Sequence, residues 1–77
     1  MKCIVKMIWD NGFWHSEVYN ENNEDICLTL EDKSFDILAE RVKNALPEML
    51  ELNFSYKGDI YVIFDIIRID SLLQVAV

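Results

Sequence analysis

Lys2-Cys3-Ile4-Val5-Lys6-Met7-Ile8-Trp9-Asp10-Asn11-Gly12-Phe13-Trp14-His15-Ser16-Glu17-Val18-Tyr19 is the stretch that decides how this chain folds. Cys3, Val5, Met7 and Trp9 form an apolar set at every second position, and Lys2, Ile4, Lys6 and Ile8 form a mixed one. That period of two is the mark of a strand with one face on a core. Asp10-Asn11-Gly12 reads as a tight turn, because Asn and Gly accept the positive φ that a hairpin requires. Beyond it, Trp14, Ser16 and Val18 share one side of a second strand, and Phe13, His15, Glu17 and Tyr19 the other. The two strands are predicted to form an antiparallel hairpin.

Working outward, Asn20 to Asp25 is a polar connector, and Ile26, Leu28 and Leu30 mark one face of a short third strand. Ser34 is placed to cap a helix, with Asp36 in the first turn favouring the positive end of its dipole. Phe35, Leu38, Val42, Ala45, Leu46, Met49 and Leu52 then recur at three- and four-residue steps, an amphipathic pattern. Glu40, Arg41, Lys43, Asn44, Glu48 and Glu51 fall mostly on its outer side. Pro47 either kinks this helix or starts a second one, since it has no N–H and its ring crowds the carbonyl of Lys43. Asn53 to Asp59 reads as a loop. From Ile60 to Val77 the pattern is β throughout. Ile60, Val62, Phe64 and Ile66 share one face, and Ile63, Ile67 and Ile69 the other. At about 3.3 Å per residue so long a strand would project far outside a small domain. The segment either bends near Asp70-Ser71 or pairs with another chain. A strand apolar on both faces belongs in a sheet centre or an interface, so Ile67, Ile69, Leu73 and Val75 are the expected contacts of a homo-oligomer.

The chain has 77 residues, enough for one domain (1–77). Ordering costs about 1.5 kcal/mol per residue, which so small a core offsets narrowly, another reason to expect association. Seven Lys and Arg against 14 Asp and Glu give a net charge of -7. That surface repels phosphate backbones and argues against direct nucleic-acid binding. A 52% share of apolar and aromatic residues argues against a disordered acidic tail. Two cysteines do not make a disulfide scaffold. No apolar run reaches the roughly 18 residues of a membrane span. Lys6 interrupts the N-terminal apolar stretch, so a signal peptide is not expected either. The reading places the chain in the cytoplasm, with both cysteines as thiols.

Few residues invite chemistry. His15 is the one histidine; it reads as a half-exposed strand residue with Glu17 on the same face. A zinc site needs about four ligands, more than Cys3, Cys27 and His15 supply. The cysteines read as small apolar side chains in neighbouring strands. Asp10 is explained by its turn. Asp65 interrupts an apolar run, and either pairs with Arg68 or faces solvent at a sheet edge. A minimal Mg²⁺ nuclease built on Asp10 and Asp65 is the weakest of the functions considered. No glycine-rich phosphate loop is present. Neither catalytic residues nor a cofactor are expected. Trp9, Phe13, Trp14 and Tyr19 crowd one hairpin, as core packing or as a protein-binding surface.

Two motifs carry a resemblance. Trp9-Asp10-Asn11-Gly12-Phe13-Trp14 resembles the first hairpin of HicB-like proteins, in which a short turn leads into an aromatic-Trp pair. Leu46-Pro47-Glu48-Met49-Leu50-Glu51-Leu52-Asn53 resembles the helix end of one family of small HicB-like proteins, which carries Val/Leu-Pro-Glu-Leu-Leu-Glu-Leu-Asn there. The resemblance runs in register along nearly the whole chain. It implies an α+β, partial ribonuclease-H-like fold of order β-β-β-α-β, an antiparallel sheet with a helix packed on one face. HicB proteins are antitoxins whose N-terminal domain masks HicA, a small basic ribonuclease. An acidic surface suits such a partner. Asp25-Ile26-Cys27 stands where HicB proteins commonly have Pro-Gly-Cys, and the DNA-binding domain that usually follows is not among these residues. The expected function is a non-enzymatic module binding a HicA-like toxin, with Trp14, Glu40 and Glu48 as partner contacts. The alternative is a self-associating domain without a toxin.

Overall fold

Chain reversal at Asn11-Gly12 sets the frame. Both residues have positive φ, 57° and 88°, the pair of left-handed conformations that a two-residue hairpin turn of matching twist demands. The computed structural model describes residues 1–68. In it β1 (Lys2–Asp10) and β2 (Phe13–Asn20) pair antiparallel, with Asp10 opposite Phe13 and Trp9 opposite Trp14. β3 (Asp25–Asp32) pairs antiparallel with β2. The helix α1 (Phe35–Phe54) follows, and β4 (Tyr61–Arg68) closes the order β3-β2-β1-β4.

The expected antiparallel sheet is corrected in one respect: β4 runs parallel to β1, so the sheet is mixed. The reason is directional. β3 runs with β1, and α1 carries the chain back to the starting end. The next strand must then run with β1 again, as parallel neighbours joined through a helix do. The order of elements, and the helix on one face, agree with the sequence.

One face is apolar. Cys3, Val5 and Met7 of β1, Val18 of β2, and Ile26 and Leu28 of β3 are buried against Leu38, Val42, Leu46 and Leu50 of α1. Burying such a side chain contributes roughly 2 kcal/mol. Leu52, expected in this seam, is instead 70% exposed. The contact line follows the i+4 ridge of Leu38, Val42, Leu46 and Leu50. At about 100° per residue, Leu52 lies roughly 200° from Leu50, on the outer side. Near the helix end Asn53 ties α1 to β3, its Nδ2 donating to the carbonyl of Ile26 at 2.9 Å.

Helix limits follow local chemistry. Ser34 Oγ accepts the N–H of Ile37 at 3.3 Å, the cap its sequence promises. The helix runs as one element through Pro47. It ends at Ser55 in the left-handed conformation, φ 51°, where the Ser55 N–H reaches the Glu51 carbonyl and the Tyr56 N–H that of Leu50.

Two buried polar groups tie the strands together. Ser16 Oγ accepts the Leu30 N–H at 3.2 Å. Asn20 organises the β2–β3 connector: its Oδ1 accepts the N–H groups of Asn22 and Glu24, both at 2.9 Å. No helix among the described residues is long and apolar enough to cross a membrane.

Candidate functional site

The face of the sheet turned away from α1 is built from the residues that alternate with the core. Ile4 lies between Ile63 and Tyr19, Lys6 between Asp65 and Glu17, and Ile8 between Ile67 and His15. A charged row thus separates two apolar rows. Lys6 Nζ sits 4.7 Å from the centre of the Tyr19 ring, a cation–π distance. The Tyr19 hydroxyl donates to Glu17 Oε2 at 3.2 Å. The Glu17 carboxylate is the main reason that the Tyr19 phenol is held above its ordinary range. Asp25, Cys27, Thr29 and Glu31 of β3 are exposed.

Charge is unevenly spread across this sheet. From Met7 to Asp32 the chain carries seven carboxylates (Asp10, Glu17, Glu21, Glu24, Asp25, Glu31, Asp32) and no Lys or Arg. Six of them lie in β2, β3 and their connector, and Asp10 ends β1; Asp32 is met by Arg41 of α1, whose Nη1 lies 3.6 Å from Oδ2. The cations Lys2, Lys6 and Arg68 are in β1 and β4. The unbalanced charge is therefore concentrated in the strands rather than on the outer face of the helix. A count of residue signs along the chain would have found it.

The partner contacts expected from sequence are not brought to one spot. Trp14 is half-buried on the helix side of the hairpin, 5.2 Å from the Trp9 ring and 5.0 Å from Phe35 in an edge-on arrangement. Its ring joins the hairpin to the first turn of α1, the packing role considered for these aromatics. Glu40 and Glu48 are exposed on α1, two turns apart. Glu40 is partly neutralised by Lys43, whose Nζ lies 2.9 Å from Oε1. Such exposed pairs contribute little to stability. Ile67 is half-buried on the open face opposite Ile8; Ile69, Leu73 and Val75 lie outside the described residues.

The two carboxylates of the nuclease reading are kept apart. Asp65 is exposed and opposite Lys6, and Asp10 is four residues farther along β1. At about 3.3 Å per residue that is roughly 13 Å, beyond what one cation bridges. Among the described residues no group of three His, Cys, Asp or Glu side chains is gathered as a metal site. The cysteines are not neighbours: β2 separates their strands. Cys3 is buried and Cys27 exposed, and burial raises the Cys3 thiol pKa. Maleimide is expected to modify Cys27 rapidly in the folded chain and Cys3 only after denaturation, which mass spectrometry reads directly. Rapid double labelling of the folded chain would show that β1 does not hold its place in the core.

A shallow cleft of about 200 Å³ lies between Pro47, Glu51, Tyr56, Lys57, Gly58 and Ile60. It presents one ion pair, Lys57 Nζ to Glu51 Oε1 at 3.3 Å, and no converging set of polar groups. Comparisons with family models, with curated proteins and with solved structures returned no significant match.

Proposed function

We propose that the chain is a non-enzymatic binding module that masks a small basic protein, as a HicB-type antitoxin masks a HicA-type toxin. The observation that carries this reading is the charge segregation: six carboxylates and no Lys or Arg in β2, β3 and their connector, with Asp10 at the adjoining end of β1. A predominantly acidic field, interrupted by Arg41 beside Asp32, attracts a basic partner and speeds its association. The order β-β-β-α-β with a helix on one face supports a partial ribonuclease-H-like, HicB-like fold. The reading calls for no cofactor and sets the complex in the cytoplasm. The aromatic cluster of Trp9, Trp14 and Phe35 offers an apolar anchor beside the charge.

Capture from the host lysate should recover a small basic protein in stoichiometric amount, released by salt. Its ribonuclease activity should be suppressed by adding the chain back. Charge reversal at Glu21 and Glu24 should then slow association about tenfold at low ionic strength and much less at high salt. Reversal at Glu40 and Glu48 should act in the same sense but less. Recovery of the chain alone, or an on-rate indifferent to all four changes, would overturn the reading. A second reading, a self-associating domain with no toxin, is favoured by the exposure of Tyr61 and Ile66 on β4.

A further inference from the structure

We propose that β4 is the edge at which a second copy of the chain adds, the two β4 strands pairing antiparallel about a twofold axis. The four-stranded sheets then join into one continuous sheet. The proposal does not depend on a basic partner, and its failure would leave the masking reading standing.

The direction of the backbone groups comes first. The Tyr61 N–H donates to the Met1 carbonyl at 2.8 Å. In a parallel pair the residues of a strand alternate in the side to which they bond. Tyr61, Ile63, Asp65 and Ile67 therefore turn their N–H and C=O toward β1. Val62, Phe64 and Ile66 turn theirs to the outer edge, where no strand pairs with them among the described residues.

The two edges of the sheet are treated differently. β3 is guarded against strand addition by a bulge at Cys27, which has φ 61°, and by exposed Asp25 and Glu31. Bulges and edge charges are the ordinary means of blocking pairing. β4 pairs with β1 in unbroken register, without a bulge; from Tyr61 to Ile67 its one charged residue is Asp65, Arg68 ends the strand, and there is no proline. Ile66 is 59% exposed and Tyr61 67%. The helix lies over β3 and β2, leaving the β4 side of the same face less covered.

Charge and register select a second copy as the occupant. The acidic half of the sheet is the half remote from β4, so pairing at β4 places the two acidic halves at opposite ends of the dimer. Pairing at β3 would bring them together. A twofold axis normal to the sheet keeps both helices on one side and sets residues of like orientation opposite each other. With Phe64 opposite its own counterpart, Val62 faces Ile66 of the second copy and Tyr61 faces Ile67. The register one step along would set Asp65 against Asp65, a like-charge pair that destabilises a sheet.

Sedimentation equilibrium of the full chain at micromolar concentration is expected to give twice its 9.1 kDa mass. Ile66→Lys places a charge on the exposed edge, and Ile66→Pro removes an outward N–H without removing a bond to β1. Either should return the mass to that of one chain with the far-ultraviolet circular dichroism unchanged. Thr29→Lys, on the guarded edge, should remain dimeric. Should both Ile66 variants fail to fold, amide exchange of the unaltered chain still decides. Val62, Phe64 and Ile66 should be protected increasingly as concentration rises. A monomer over this range, a dimer indifferent to both Ile66 changes in folded protein, an open polymer, or edge amides whose exchange ignores concentration would each overturn the proposal.

Discussion

Replacement of Leu46 by alanine is expected to lower stability by about 3 kcal/mol, within the range for buried leucines. Leu46 is 1% exposed and stands in the middle of the ridge Leu38, Val42, Leu46 and Leu50. Val42 and Leu50 one turn away on either side hold the helix at its distance from the sheet, so the gap left by the isobutyl group cannot close by a local shift. A domain of this size commonly has only about 4–10 kcal/mol in total. The variant should therefore lose a large part of its margin. Urea denaturation followed by circular dichroism measures this as a lower midpoint at an unchanged slope. A loss below about 1 kcal/mol would place the helix–sheet seam elsewhere.

One residue on, the sign reverses. Pro47→Ala is expected to raise stability by about 2 kcal/mol, somewhat under the full difference of roughly 3 kcal/mol between Pro and Ala in a helix interior. Pro47 offers no N–H to the carbonyl of Lys43, and its ring crowds that carbonyl. It is exposed, so alanine opens no cavity in the core, and its N–H can donate to the Lys43 oxygen. The deduction from the full value comes from the ring's place beside Tyr56 and Ile60 in the shallow cleft. The same denaturation experiment reads the gain, and its absence would mean that Pro47 packs in that cleft strongly enough to offset the lost hydrogen bond. The contrast between adjacent positions follows from roughly 100° of rotation about the helix axis.

The hairpin was legible because Asn11-Gly12 and the alternation around it point to one conformation. The Ser34 cap and the core set of Cys3, Val5, Met7, Val18 and Leu38 were legible for the same reason: local chemistry and burial agree. Leu52 falls outside the seam because three- and four-residue spacing defines a stripe wider than the contact: Leu38, Val42, Leu46 and Leu50 are buried, Ala45 and Met49 flank them, and Leu52 lies beyond. The parallel setting of β4 requires counting chain reversals, which period-two alternation does not do. Asn20 looked like one polar residue among several. Its role comes from the connector folding back so that the Asn22 and Glu24 N–H groups reach its Oδ1, and no spacing rule announces that, nor the bulge at Cys27. The helix carboxylates recur on one face and so stand out by periodicity, while the larger imbalance in the strands lies in the missing cations.

The pairing of β4 with β1 also governs the order in which this sheet can assemble. Asp10 and Phe13 meet across a turn, but Lys2 and Tyr61 stand 59 positions apart. Closing so long a loop costs entropy before any contact is gained, and contacts of that separation slow folding. On a ribosome β1, β2, β3 and α1 emerge first and already contain the ten buried residues of the central cluster. Until β4 arrives, β1 is itself a bare edge, with Ile4 and Ile8 beside it and its outward amides unpaired. The nascent chain thus passes through a stage at which a strand from another molecule could occupy the place of its own last strand.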